Sequence, residues 1–175
     1  MSALVVVETY FGNTHHVAEV VAGTIRSHGV PTDVAEVEEA PTLLSDEIEL
    51  LVVGAPTHDR GMSTAESRQA ACARTGRAVP DAGVREWLAQ LSMPTAPPLV
   101  AVFDTRTGYP WLAGSAAAQA SVLLCEKGFP VMAARETFRV DGVAGPLLRG
   151  EDDRARRWAD VVVARLVHRR GVRYA

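Results

Sequence analysis

The chain has 175 residues, 47% of them hydrophobic, and a formal net charge of −3; a chain of this length buries a full core as one domain without disulfides or metal staples. The near-neutral charge excludes nucleic acid as the main partner, because phosphate-backbone binding needs a concentrated positive field. Two cysteines, Cys72 and Cys125, give neither a disulfide framework nor a CxxC metal knuckle, and no apolar run approaches the roughly 20 residues of a membrane span. The start, MSALVVVETY, lacks the basic region and longer apolar core of a signal peptide, so the expectation is a cytoplasmic protein.

Ala3 to Glu8 is a continuous apolar run closed by an acid, the pattern of a strand buried on both faces. Thr14 to His28 carries Val17, Val20, Val21, Thr24 and Ile25 on one stripe and meets a stop signal at Gly29, which predicts an amphipathic helix. Thr32 to Val37 reads as a second strand, followed by an acidic patch of Glu36, Glu38 and Glu39 and a short helix or turn around Leu43. Leu50 to Ala55 is another wholly apolar strand. A polar stretch from Thr57 to Pro80 contains a predicted helix over Thr64–Arg74, and Gly83–Leu91 a shorter one. Leu99 to Asp104 is a buried strand, Ser115 to Lys127 an Ala-rich helix, and Pro130 to Val140 holds a last strand. The final helix opens with Glu151, Asp152 and Asp153 and ends in Arg and His, matching the helix dipole; Trp158, Val161, Val162 and Leu166 form its expected inner stripe. Five alternating β–α units predict an α/β fold, a doubly wound parallel sheet in three layers, since a barrel needs eight.

In such sheets ligands bind beyond the carboxyl ends of the strands, where strand order reverses. Three loops lie there. The first, Thr9-Tyr10-Phe11-Gly12-Asn13-Thr14, runs straight into a helix and holds neither Lys nor Arg. It reads either as a phosphate loop, using the unpaired N–H groups of a helix start, or as an ordinary N-cap at Asn13 or Thr14. The second contains Pro56, Thr57, His58, Asp59, Arg60 and Gly61; the third contains Asp104, Thr105, Arg106, Gly108, Tyr109, Pro110 and Trp111. With only ten aromatic residues in the chain, His58 facing Tyr109 or Trp111 across one sheet edge suits a planar ligand.

The three loops together resemble the flavodoxin family. Its T-x-T-G-N-T phosphate loop is matched by Thr9, Gly12, Asn13 and Thr14, with Phe11 at the middle Thr. Its T-W-x-x-G loop is matched by Thr57 and Gly61, with Asp59 between them and His58 at the Trp. Its acidic start and G-Y after the fourth strand are matched by Asp104, Gly108 and Tyr109, with one extra residue between. The resemblance implies strand order 2-1-3-4-5 and a non-covalently bound flavin mononucleotide (FMN). Phosphate would be held by Thr9 to Thr14, with Tyr10 and Phe11 in that loop. Pro56, Thr57, His58, Asp59 and Gly61 would border one side of the ring, and Asp104, Thr105, Arg106, Gly108, Tyr109 and Trp111 the other. It implies an electron-transfer flavoprotein acting with a redox partner protein or a quinone-type small molecule. The alternatives are an FMN-dependent quinone reductase, an enzyme like menaquinone-dependent protoporphyrinogen oxidase, and a flavin-free interaction module on the same scaffold.

Other patterns carry less. Cys72 to Arg77 is one residue short of a phosphatase C-x5-R loop and lies in a predicted helix; Phe103 to Thr107 has Arg106 where a dehalogenase-type phosphatase has its second Asp. A receiver domain needs paired acids after strand one, which Glu8 alone does not supply. His15 and His16, as neighbours on a helix, diverge and do not chelate one metal. Of the 18 basic residues 17 are Arg, so no single Arg stands out by type. Met62 and Met93 read as packing residues.

Overall fold

The computed structural model describes residues 2–108, 114–132 and 135–173. Strands β1 (Ser2–Val7), β2 (Thr32–Glu36), β3 (Ile48–Pro56), β4 (Leu99–Arg106) and β5 (Glu136–Arg139) and helices α1 (Asn13–Ser27), α2 (Ala65–Thr75), α3 (Val84–Gln90), α4 (Ala116–Glu126) and α5 (Glu151–Arg173) follow one another in the order β1-α1-β2-β3-α2-α3-β4-α4-β5-α5, with no helix between β2 and β3 and two after β3. The sheet is parallel throughout in the order β2-β1-β3-β4-β5, as expected.

The apolar runs fill two cores at once because successive side chains leave a strand on opposite faces. Ala3, Val5 and Val7 pack beneath α1 and α5, while Leu4 and Val6 face the core built by α3 and α4. Gly54 in β3 is what lets Phe103 of β4 lie flat across the sheet, since a Cβ there would stand 2.2 Å from the Phe103 ring. Phe103, Phe138 and Trp158 then meet edge-on, with centroids 5.8–6.1 Å apart.

Several expectations are corrected. Val161 is 46% exposed; the inner face of α5 is Ala155, Trp158, Ala159, Val162, Val163 and Leu166. Of the helix or turn expected around Leu43 the turn is found: the chain turns at 37–39 and 46–47, Leu43 makes an isolated bridge to Ser92 and Leu44 is buried. Met93 is 42% exposed, unlike the buried Met62. The last strand falls inside Pro130–Val140 as expected, four residues long at the sheet edge. Asn13 and Thr14 do not cap α1; its cap is Gly12 in the left-handed region at φ 85°.

Candidate functional site

A cleft of about 760 Å³ opens at the carboxyl edge of the sheet, within the range of ligand sites. Its lining comes from the β1–α1 loop (Thr9, Tyr10, Phe11, Asn13, Thr14), the β3–α2 loop (Pro56, Thr57, His58, Asp59, Arg60), the end of β4 (Thr105, Arg106, Thr107), Gly114, and Val140 and Val143 before α5. A further wall is α2, through Glu66, Ser67, Ala70, Ala71 and Arg74. The three loops singled out in the sequence therefore converge, and α2 joins them. Tyr109 and Trp111 lie outside the described residues.

Two of the helices that begin at this edge, α1 and α4, are finished differently. At α4 each of the first three amides has a protein acceptor: Ala116 N–H donates to Thr57 Oγ1 (2.9 Å), Ala117 N–H to Asp104 Oδ2 (3.1 Å) and Ala118 N–H to Ser115 Oγ (3.1 Å). At α1, among the described residues, no side chain caps the first turn. The left-handed Gly12 swings the chain directly into the helix, and Gly12 N–H donates to Thr9 Oγ1 (3.1 Å). Thr14 Oγ1 and Thr105 Oγ1 share a buried hydrogen bond of 2.8 Å that ties the start of α1 to β4. The Asn13 amide donates to the Ala144 carbonyl (2.9 Å) and holds the β5–α5 loop beside the helix start. An uncapped helix start aimed into a cleft has the donors and partial positive charge that an anion needs.

His58, Asp59, Arg60 and Gly61 form a tight turn closed by two backbone bonds of 2.9 Å, with Asp59 at φ 53°. The His58 ring stacks obliquely on Tyr10, centroids 5.1 Å apart, and its Nδ1 lies 3.0 Å from Ser67 Oγ. Burial holds the imidazole below its ordinary value, partly opposed by Glu8 and Asp59 and reinforced by Arg68. A histidine that the fold keeps neutral binds fewer protons folded than unfolded. Its contribution is therefore present above about pH 6.5 and is lost as pH falls through the lower folded pKa. Urea unfolding between pH 5 and 7 should show wild type losing stability on acidification relative to His58→Gln. Parallel pH profiles for the two would show that the ring is no more buried than an exposed histidine.

Behind this wall lies a network the sequence reading missed. Glu8 is buried; it accepts the Tyr10 hydroxyl (2.7 Å) and Val84 N–H (2.6 Å). Burial and the Glu8 charge push the Tyr10 phenol far above its ordinary value, so it remains a neutral donor. Arg68 on α2 is 2% exposed and donates to Glu86 (3.0 Å), Ser63 (3.4 Å) and the Asp81 carbonyl (3.3 Å). Burial opposes the charged form of Glu86, but the Gly83 N–H and Arg68 outweigh it and keep the carboxyl below its ordinary range.

Some residues of these loops sit behind the cleft wall. Asp104 is fully buried, its Oδ2 accepting from Thr57 (2.8 Å), Ser115 and Ala117, so it braces the cleft from behind. Gly61 is buried against the Gln119 amide, where a Cβ would come within 2.3 Å. Gly12 and Gly108 shape their loops by positive φ and do not line the cleft. Among the described residues no three His, Cys, Asp or Glu side chains converge on a metal position, and no helix is long and apolar enough to cross a membrane. His16 pairs instead with Asp152 (3.0 Å), and His15 lies between Glu19 (3.8 Å) and Glu36 (3.7 Å).

No family model and no curated protein matches the chain. Solved structures do. A flavodoxin from the domain Archaea aligns at 19% identity and TM-score 0.64, over 96% of this chain and 100% of its own. Oxidised flavodoxin 1 from Bacillus cereus aligns at 16% identity and TM-score 0.67, over 94% of this chain and 98% of its own. Rubredoxin oxygen:oxidoreductase from Desulfovibrio gigas aligns at 15% identity and TM-score 0.63, over 95% of this chain but only 36% of its own. The strand order and these full-length alignments define a flavodoxin-like fold.

Proposed function

We propose that this chain binds FMN non-covalently and passes electrons through it as a flavodoxin-like redox protein. The observation that carries this reading is the contrast between the two helix starts: α4 satisfies its own amides, whereas α1 opens uncapped into the cleft. The phosphate would be held by the backbone amides of Asn13 and Thr14 at the start of α1, with Thr9 beside them. Thr57, His58 and Asp59 would border the ring on one side, and Tyr109 or Trp111 would stack on the other. The bound flavin supplies the one- and two-electron chemistry. Arg106, which lines the cleft and donates to the Gly114 carbonyl (3.0 Å), would place positive charge beside a bound flavin. The partner is a redox protein or a quinone-type molecule, and the setting cytoplasmic.

The α2 wall favours a second reading, an FMN enzyme with a substrate pocket such as a quinone reductase. A third, a flavin-free module, predicts no flavin binding at all. Titration of the flavin-free chain with FMN, followed by flavin fluorescence, should show saturable one-to-one binding; unchanged fluorescence and no retained colour would overturn the first two readings. Reoxidation of the photoreduced holoprotein by a soluble quinone then separates them. A rate linear in quinone marks a carrier, and a saturating rate marks a pocket.

A further inference from the structure

We infer that Arg74, delivered by α2, is the cation that neutralises the ligand's phosphate and replaces the donor lost at Phe11. The inference rests on the FMN reading and adds a residue to it from outside the three strand-end loops. A flavin phosphate carries a charge near −2 at neutral pH, by the same chemistry as a phosphorylated side chain. The start of α1 offers only about half a unit of positive charge in return. The side chains of its loop contribute little more. Thr9 Oγ1 is engaged by Gly12 N–H, Thr14 shares its hydroxyl bond with Thr105, and Phe11 has no hydroxyl to give.

The C-terminal end of α2 brings two guanidinium groups to this loop. Arg77 reaches the Thr9 carbonyl (3.4 Å) but is paired with Glu36 (3.4 Å). Arg74 is different. Its guanidinium carbon stands 5.4 Å from the centre of the Phe11 ring, it lines the same cleft as Asn13 and Thr14, and no carboxylate among the described residues pairs with it. A cation in the last helical turn ordinarily serves that helix's own carboxyl end. Here Gly76 closes that end by donating its N–H to the Cys72 carbonyl (2.9 Å), and Arg74 lies across the phosphate loop. The aromatic face gives the guanidinium a platform that leaves its N–H edge available to an anion. Phe11 thus exchanges one hydroxyl for the seat of a full charge.

The test compares FMN with riboflavin, which has the same ring and no phosphate, on flavin-free full-length protein. Arg74 is exposed, so Arg74→Gln should keep the fold, as circular dichroism checks. Wild type should bind FMN much more tightly than riboflavin. Arg74→Gln should weaken FMN by roughly ten- to a hundredfold, as loss of a charge-assisted contact does. It should leave riboflavin within about twofold and flatten the salt dependence of FMN binding, since a screened charge pair has gone. Arg74→Lys should restore part of the loss. An unchanged FMN affinity in Arg74→Gln, or an equal loss for both flavins, overturns the role of Arg74 while leaving FMN binding in place. Equal affinity of wild type for the two flavins overturns phosphate anchoring altogether, and failure to bind either removes the FMN reading itself.

Discussion

Replacing Arg68 with Met should cost about 2 kcal/mol of folding stability, because the guanidinium is buried but its Glu86 partner is 35% exposed, so the loss falls below what breaking a fully buried ion pair costs. Met preserves the apolar stem, so the loss comes from the guanidinium rather than from a cavity. That guanidinium ties α2 to the Glu86 carboxylate and the Asp81 carbonyl, and its contact with Ser63 joins it to the Glu8 site. Ser63 Oγ and Glu8 Oε2 crowd the same point above Gly83, where a Cβ would lie 2.6 and 2.7 Å from them. Removing the charge leaves the buried Glu8 carboxylate with fewer compensating groups and frees α2 at one end. Urea unfolding measures the first effect. A rise in the Glu86 pKa, followed by NMR, reports the second independently, because Arg68 helps hold that carboxyl low. Weaker flavin binding should accompany both, since the cleft wall is the other face of the same helix. A loss below about 1 kcal/mol would mean that desolvating the guanidinium already cancels its bonds.

The sheet was legible in the sequence because Val5-Val6-Val7, Leu50 to Val53 and Val100 to Phe103 leave no polar face, and only a strand covered on both sides tolerates that. The loops at its carboxyl edge were legible for a topological reason: whichever residues follow β1, β3 and β4 must meet there. What could not be read was which way a side chain points. Asp104 and Thr105 are neighbours, yet Thr105 bonds Thr14 at the cleft while Asp104 turns to the start of α4. Strand alternation requires that they differ without saying which faces the ligand. Arg68 was hidden among 17 arginines, though one signal existed. It shares the inner face of α2 with Ala71 and Cys72, at spacings of three and four, and an Arg on an inner face needs a buried partner. Val161 failed for a subtler reason: the buried stripe runs through Ala155, Ala159, Val162 and Leu166, at spacings of three and four, and leaves position 161 on its flank.

Asp104→Ala should destabilise the protein by about 4 kcal/mol and weaken flavin binding as well, because one buried carboxylate oxygen serves three donors. Thr57 Oγ1, Ser115 Oγ and Ala117 N–H all converge on Asp104 Oδ2. Each buried donor left without an acceptor costs on the order of 1–3 kcal/mol, and the negative charge at the start of α4 is lost with them. Thr57 transmits the damage to the cleft. Its hydroxyl donates to Asp104 and accepts Ala116 N–H (2.9 Å), so one side chain fixes both the β3–α2 loop and the first turn of α4. With Asp104 gone Thr57 loses its orientation, and the turn carrying His58 and Asp59 moves with it. Asp104→Asn keeps an acceptor oxygen for the three donors but gives up the charge and adds an amide that finds no acceptor where Oδ1 now lies unpartnered among the described residues. It should therefore fall between wild type and Asp104→Ala in both unfolding free energy and FMN affinity. The ordering is the test. If Asp104→Ala stays within about 1 kcal/mol of wild type, or if only binding falls while stability holds, Asp104 acts on the ligand directly and its place as the brace behind the cleft is wrong.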